Sequence, residues 1–160
     1  MSTPNLLDAI RIVKENERIA SASYADAAQK IRHPMGKKLF EQLAEFEKFH
    51  YEKLTALETS LEEKGDYIDY EGKEFPIPPT FEIKAAQEPD TKSVMTIISE
   101  AMNLERQAEN AYADLAALTK DPLGHEMFIR LSEEEHNHYR LLSKAYWTLT
   151  NLGTWTWSRP

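Results

Sequence analysis

The sequence predicts an all-α protein, a four-helix bundle assembled from two copies of one αα-hairpin. Two observations carry this. Moved by 88 positions, residues 17–54 fall on residues 105–142 with 16 identities in 38 positions and no gap, which makes the chain an internal duplication. Apolar residues also recur at helical spacing through Leu6, Leu7, Ile10 and Val13, and again through Val94, Ile97, Ile98 and Met102.

The elements follow in order. A first helix is expected over about residues 5–31, turning at Ile31-Arg32-His33-Pro34 into a second over about 34–64 that ends at Gly65. Asp90 or Thr91 opens a third helix to about residue 119. The second turn, Thr119-Lys120-Asp121-Pro122, supplies an N-cap in Asp121 and a first helical residue in Pro122 for a helix to about 150. The helix pairs at 5–64 and 91–150, the crossover at 65–90 and a short tail are read together as one domain, 1–160. The crossover has 26 residues and is too long for a turn and too aromatic for a linker. At ~3.3 Å per residue it can run the length of a helix rising about 46 Å. Tyr67, Tyr70, Phe75 and Phe81 are expected to pack it against the bundle, with a short extended pair around Glu71-Gly72.

Composition narrows the chemistry. The chain has no cysteine, which excludes thiolate zinc, iron–sulfur clusters, a rubredoxin-type iron site and disulfides. A net charge of −8, with no basic cluster, argues against a nucleic-acid partner. No apolar run approaches the ~20 residues needed to cross a bilayer, and the N-terminus lacks the apolar core of a secretory signal. The expectation is a cytoplasmic protein with neither nucleic acid nor membrane as partner.

The candidate chemistry lies in the repeat. Glu17 stands about 15 residues before the first turn and Glu47 about 15 after it, so both sit some 22 Å from the turn, at one height. Glu105 and Glu135 have the same relation to the second turn. His50 and His138 follow Glu47 and Glu135 by three residues, on the same helical face. Packed as a pseudo-symmetric bundle, the hairpins bring four carboxylates together, a costly burial unless they are paired. Two divalent metals cancel a formal charge of −4 and two imidazoles complete the ligation, a donor set that suits iron, with manganese as the alternative. Glu47 and Glu135 are expected to bridge, Glu17 and Glu105 to be terminal, and each histidine to bind one metal.

Single motifs carry little weight. Glu133-x-x-His136 is a decoy that does not repeat, because Lys48 occupies the position matching His136. Glu45 and Glu133 point roughly 200° from the ligand row and are read as exposed charge. Tyr24 and Tyr112 lie two turns beyond Glu17 and Glu105 and are candidates for hydrogen bonds to the ligand carboxylates, or for plain packing. Arg18 and Arg106 pair with outer carboxylates or face water. His33 and His125 are read as structural or exposed, and Trp155 and Trp157 as packing residues of the tail.

With Glu on the first and third helices and Glu-x-x-His on the second and fourth, the chain resembles the ferritin-like di-iron carboxylate proteins, whose ligand pattern is a general one for such bundles. The segments LAEFEKFH and LSEEEHNH make it most similar to rubrerythrins and related proteins, here without the rubredoxin domain. That resemblance implies a di-iron oxidoreductase reducing hydrogen peroxide or dioxygen, with electrons from an external donor protein and a homodimeric assembly. It departs at Ala108, where rubrerythrins carry a further glutamate. The symmetric six-residue set is closer in kind to that of bacterioferritins. The alternatives are therefore a ferroxidase, with Fe2+ as substrate for storage or detoxification, and a non-enzymatic interaction or sensor module held together by its metals.

Overall fold

A computed structural model describes residues 5–76 and 87–155; Phe81 and Trp157 lie outside the described residues. Among the described residues four helices form the fold: α1 (Leu6–Lys30), α2 (Pro34–Lys64), α3 (Thr91–Leu118) and α4 (Pro122–Leu152). Local chemistry fixes their ends. Asn5 caps α1 by accepting from the Leu7 N–H at 3.0 Å, and Asp121 caps α4 by accepting from the Leu123 N–H at 2.9 Å. His33, the repeat counterpart of Asp121, does the same for α2, its Nδ1 accepting from the Met35 N–H at 3.1 Å. Proline occupies the first turn of both α2 and α4. Gly65 (φ +74°) and Gly153 (φ +69°) close those helices in the left-handed conformation.

Each hairpin packs chiefly within itself, α1 on α2 and α3 on α4, while α1 meets α3 more lightly. The two hairpins lie head to tail, so the turn of one reaches the open end of the other. One apolar cluster joins Ile31, Met35 and Phe40 to Val94, Ile98 and Leu149. A second, at the opposite end, joins Ile10, Val13 and Leu57 to Leu115, Met127 and Phe128. Between these two plugs lies a polar layer.

This arrangement dictates a long crossover, because α2 ends and α3 begins at opposite ends of the bundle. Tyr67 packs at the second cluster, beside Gly124 at the start of α4. A Cβ on Gly124 would stand 2.5 Å from the Tyr67 ring. Tyr70 packs on the same cluster and Phe75 on the other, stacked on Phe46 at 5.9 Å. At the far end Gln87 makes an isolated antiparallel bridge to Thr154. There Trp155 is buried against Gly36, where an added Cβ would stand 2.3 Å from the ring, and its indole N–H donates to Glu88 at 2.6 Å. Trp155 is thus a packing residue, as expected.

The expected extended pair at Glu71-Gly72 does not form, since residues 66–76 contain no strand. Gly72 adopts φ +78°, and the backbone beside it is held by a side chain, the Lys73 N–H donating to Glu134 at 2.7 Å. Among the described residues no helix is long and apolar enough to cross a membrane.

Candidate metal centre

The polar layer contains all six residues singled out from the repeat. Glu17 comes from α1, Glu47 and His50 from α2, Glu105 from α3, and Glu135 and His138 from α4; each is at most 2 % exposed. They fall into two groups that could hold a metal ion: Glu17, Glu47, His50 and Glu135, and Glu47, Glu105, Glu135 and His138. Within each group one donor atom per residue lies within 4.8 Å of the others. Glu47 and Glu135 belong to both groups, as bridging ligands would.

The histidines show how tightly the donors converge. His50 Nδ1 stands 2.7 Å from Glu135 Oε1, 3.3 Å from Glu17 Oε2 and 3.5 Å from Glu47 Oε1. His138 Nδ1 stands 3.3 Å from Glu47 Oε1, 3.4 Å from Glu105 Oε2 and 4.0 Å from Glu135 Oε1. Yet Glu47 Oε1, Glu105 Oε2, both Glu135 oxygens and both His138 nitrogens are buried without a hydrogen-bond partner among the described residues. Buried polar atoms are ordinarily satisfied. Orphaned oxygen and imidazole donors aimed at a common centre are what a hard or borderline divalent cation would satisfy.

Electrostatics agree. Burial, with repulsion from Glu105 and Glu17, pushes Glu47 and Glu135 well above the usual carboxylate range. Burial also opposes ionisation of Glu105, but the neighbouring His138 and the hydrogen bond from Tyr24 hold its carboxyl below that range. Burial disfavours the His50 imidazolium, but Glu17 and Glu134 outweigh it and raise the group to about 10.

Both tyrosines reach the layer, each crossing to the other hairpin. The Tyr24 hydroxyl donates to Glu105 at 2.8 Å, and the Tyr112 hydroxyl to Glu17 at 2.9 Å. They orient the two glutamates that lie in only one group each. The remaining candidates stand apart. Glu45 and Glu133 are exposed, His136 pairs with Glu109 at 3.1 Å, and His125 Nδ1 lies 2.7 Å from the Ala116 carbonyl. Arg18 and Arg106 face solvent beside Glu15 and Glu109, the latter stacked on Tyr139 at 4.0 Å.

One residue of the site escaped the sequence reading. Glu134 is 4 % exposed, and its Oε1 lies 3.0 Å from His50 Nε2. In the duplication Glu134 matches Phe46, and this break in the repeat was the available signal.

A small cavity of about 130 Å³ lies between α1 and α3 and reaches Glu17 and Glu47. Ile19, Ala20, Leu104 and Ala108 line it together with the amide side chains Asn16 and Gln107, and among the described residues Glu17 and Glu47 are the charged ones at its wall.

Known proteins resemble the chain in part of its sequence and in its fold. Residues 1–58 match the family model described as Rubrerythrin, a span that takes in α1 and the part of α2 carrying Glu47 and His50. A hypothetical protein from Pyrococcus furiosus has the same fold, with a TM-score of 0.71 over 95 % of this chain and 94 % of that one at 23 % identity. No curated protein matches the chain. Residues 1–58 are thus similar to the rubrerythrin family model, within an all-α four-helix bundle whose buried layer could hold metal.

Proposed function

We propose that Glu17, Glu47, His50, Glu105, Glu135 and His138 bind two metal ions, iron foremost and manganese as the alternative, in an oxidoreductase that acts on hydrogen peroxide. The observation that supports this best is the pair of donor groups sharing Glu47 and Glu135, both with unsatisfied buried oxygens. Bound iron would supply the redox chemistry, with electrons from an external donor. The protein's own contribution is placement. Glu47 and Glu135 span the two positions, Glu17 and Glu105 are steered by the hydroxyls of Tyr112 and Tyr24, and apolar clusters close the bundle above and below the layer.

As an entry path, the cavity between α1 and α3 suits a small neutral oxidant better than Fe2+. A path carrying Fe2+ would gain from carboxylates along its wall, and this one has amides, alanines and branched aliphatics up to the site's own glutamates. The symmetric six-residue set, with Ala108 where rubrerythrins have glutamate, favours the second reading, iron oxidation for storage or detoxification.

Anaerobic loading with Fe2+ followed by stopped-flow mixing separates the two. The expected result is two irons per chain, oxidised faster by peroxide than by dioxygen at equal concentration. Faster oxidation by dioxygen, with further Fe2+ consumed beyond two per chain, would establish the ferroxidase instead. Uptake of no more than trace Fe2+ or Mn2+ would refute the metal centre.

A further inference from the structure

The duplication is faithful at every proposed ligand and broken directly behind the histidines. On α4, Glu134 turns its carboxylate to His50 of the other hairpin, with Oε1 3.0 Å from Nε2. The carboxylate is itself fixed from the crossover, by the Tyr70 hydroxyl on Oε1 and by the Lys73 backbone N–H on Oε2 at 2.7 Å. The matching position on α2 is Phe46. It also reaches the histidine of the other hairpin, but it sets its ring against His138 at 4.4 Å, edge to face. Phe75 adds a second aromatic contact to His138 at 5.3 Å, and among the described residues His138 Nε2 has no hydrogen-bond partner.

The two imidazoles are therefore held by different physics. An acceptor on Nε2 places the ring proton there, turns the Nδ1 lone pair toward the glutamates and makes the ring a better donor. Behind His138, among the described residues, there is only aromatic packing and no acceptor on Nε2 to place the ring proton there.

We propose that the two metal positions are unequal: the one at His50 binds the more tightly because Glu134 holds that ring from behind, and the one at His138 is the weaker. Glu134 is on this account a positioning residue that acts through His50, and Tyr70 and Lys73 make the crossover part of the centre. The inference rests on the two-metal reading of the site but not on its activity.

Isothermal titration of the metal-free protein with Mn2+ tests it. The wild type should bind one ion tightly and a second more weakly. Loss of an outer-shell partner typically costs roughly 10- to 100-fold in affinity, so Glu134→Ala should weaken the tight step by that factor and leave the weak step in place. Glu134→Gln, which keeps an acceptor oxygen without its charge, should fall between. Helix content by circular dichroism reports whether the variants fold. Independently of Glu134, His138→Ala should retain the tight step and His50→Ala only the weak one. Two equal steps in the wild type, or a tight step unmoved in a folded Glu134→Ala, would overturn the inference and leave the two-metal reading intact. Absence of any Mn2+ binding would overturn both.

Discussion

Glu47 and Glu135 differ from the other proposed ligands in belonging to both donor groups, and single substitutions should expose that. If Glu47 bridges, Glu47→Ala removes a ligand from each position, so metal content should fall from two ions per chain to none. Glu45→Ala should keep both, because Glu45 faces solvent on the same helix. Metal analysis after loading and desalting decides, and equal content in the two variants would refute the assignment. The six residues were legible because the repeat fixed which glutamates mattered among many and the turn-to-ligand spacing fixed their height. Glu134 was not, for two reasons. It sits in a run of three glutamates, where charge alone says nothing about burial, and its work is done across the bundle on a histidine 84 residues away. Local spacing cannot show such a contact.

At the scale of elements, helix limits were readable because each end carries its own chemistry. Asp90 and Asp121 sit at N-caps, prolines at first turns and Gly65 at a left-handed close. The crossover was readable only as a length. Its path is set by tertiary contacts, Tyr67 over Gly124 and the Lys73 N–H on Glu134, and these hold residues 66–76 in an irregular course in place of the extended pair expected around Glu71-Gly72. The light contact between α1 and α3 was likewise invisible, and it matters for access. Ala20 and Ala108 are repeat counterparts that line the cavity between these helices. Filling it with Ala108→Leu should slow oxidation of the iron-loaded centre by peroxide severalfold while leaving two irons bound. Stopped-flow rates with parallel metal analysis check this, and an unchanged rate at full loading would mean that the oxidant arrives by another route.

For the whole molecule, the polar layer sets a conflict between stability and loading that pH should reveal. Without metal, Glu47 and Glu135 titrate well above 4.5 and His50 at about 10 rather than 6.5. All three shifts are upward, so the folded metal-free chain holds more protons than the unfolded one above pH 4.5. Stability from these groups is complete below their unfolded values and is lost as pH climbs toward the folded ones. Glu105 and Glu134 shift downward; their opposite slope is small just above pH 5 and fades as the unfolded glutamates finish ionising. The metal-free protein should therefore melt at progressively lower temperature from pH 5 to pH 9. Metal reverses the sign, because each bound cation displaces those protons and binds better as pH rises. With two equivalents of Mn2+ the decline should flatten or turn upward. Surface repulsion from a net charge of −8 would also give a falling curve, and Glu47→Gln with Glu135→Gln separates the two causes. If the layer is responsible, the double variant loses most of the slope with its surface charge unaltered. A metal-free melting temperature that stays constant or rises from pH 5 to pH 9 would show that the four carboxylates do not form the buried cluster described.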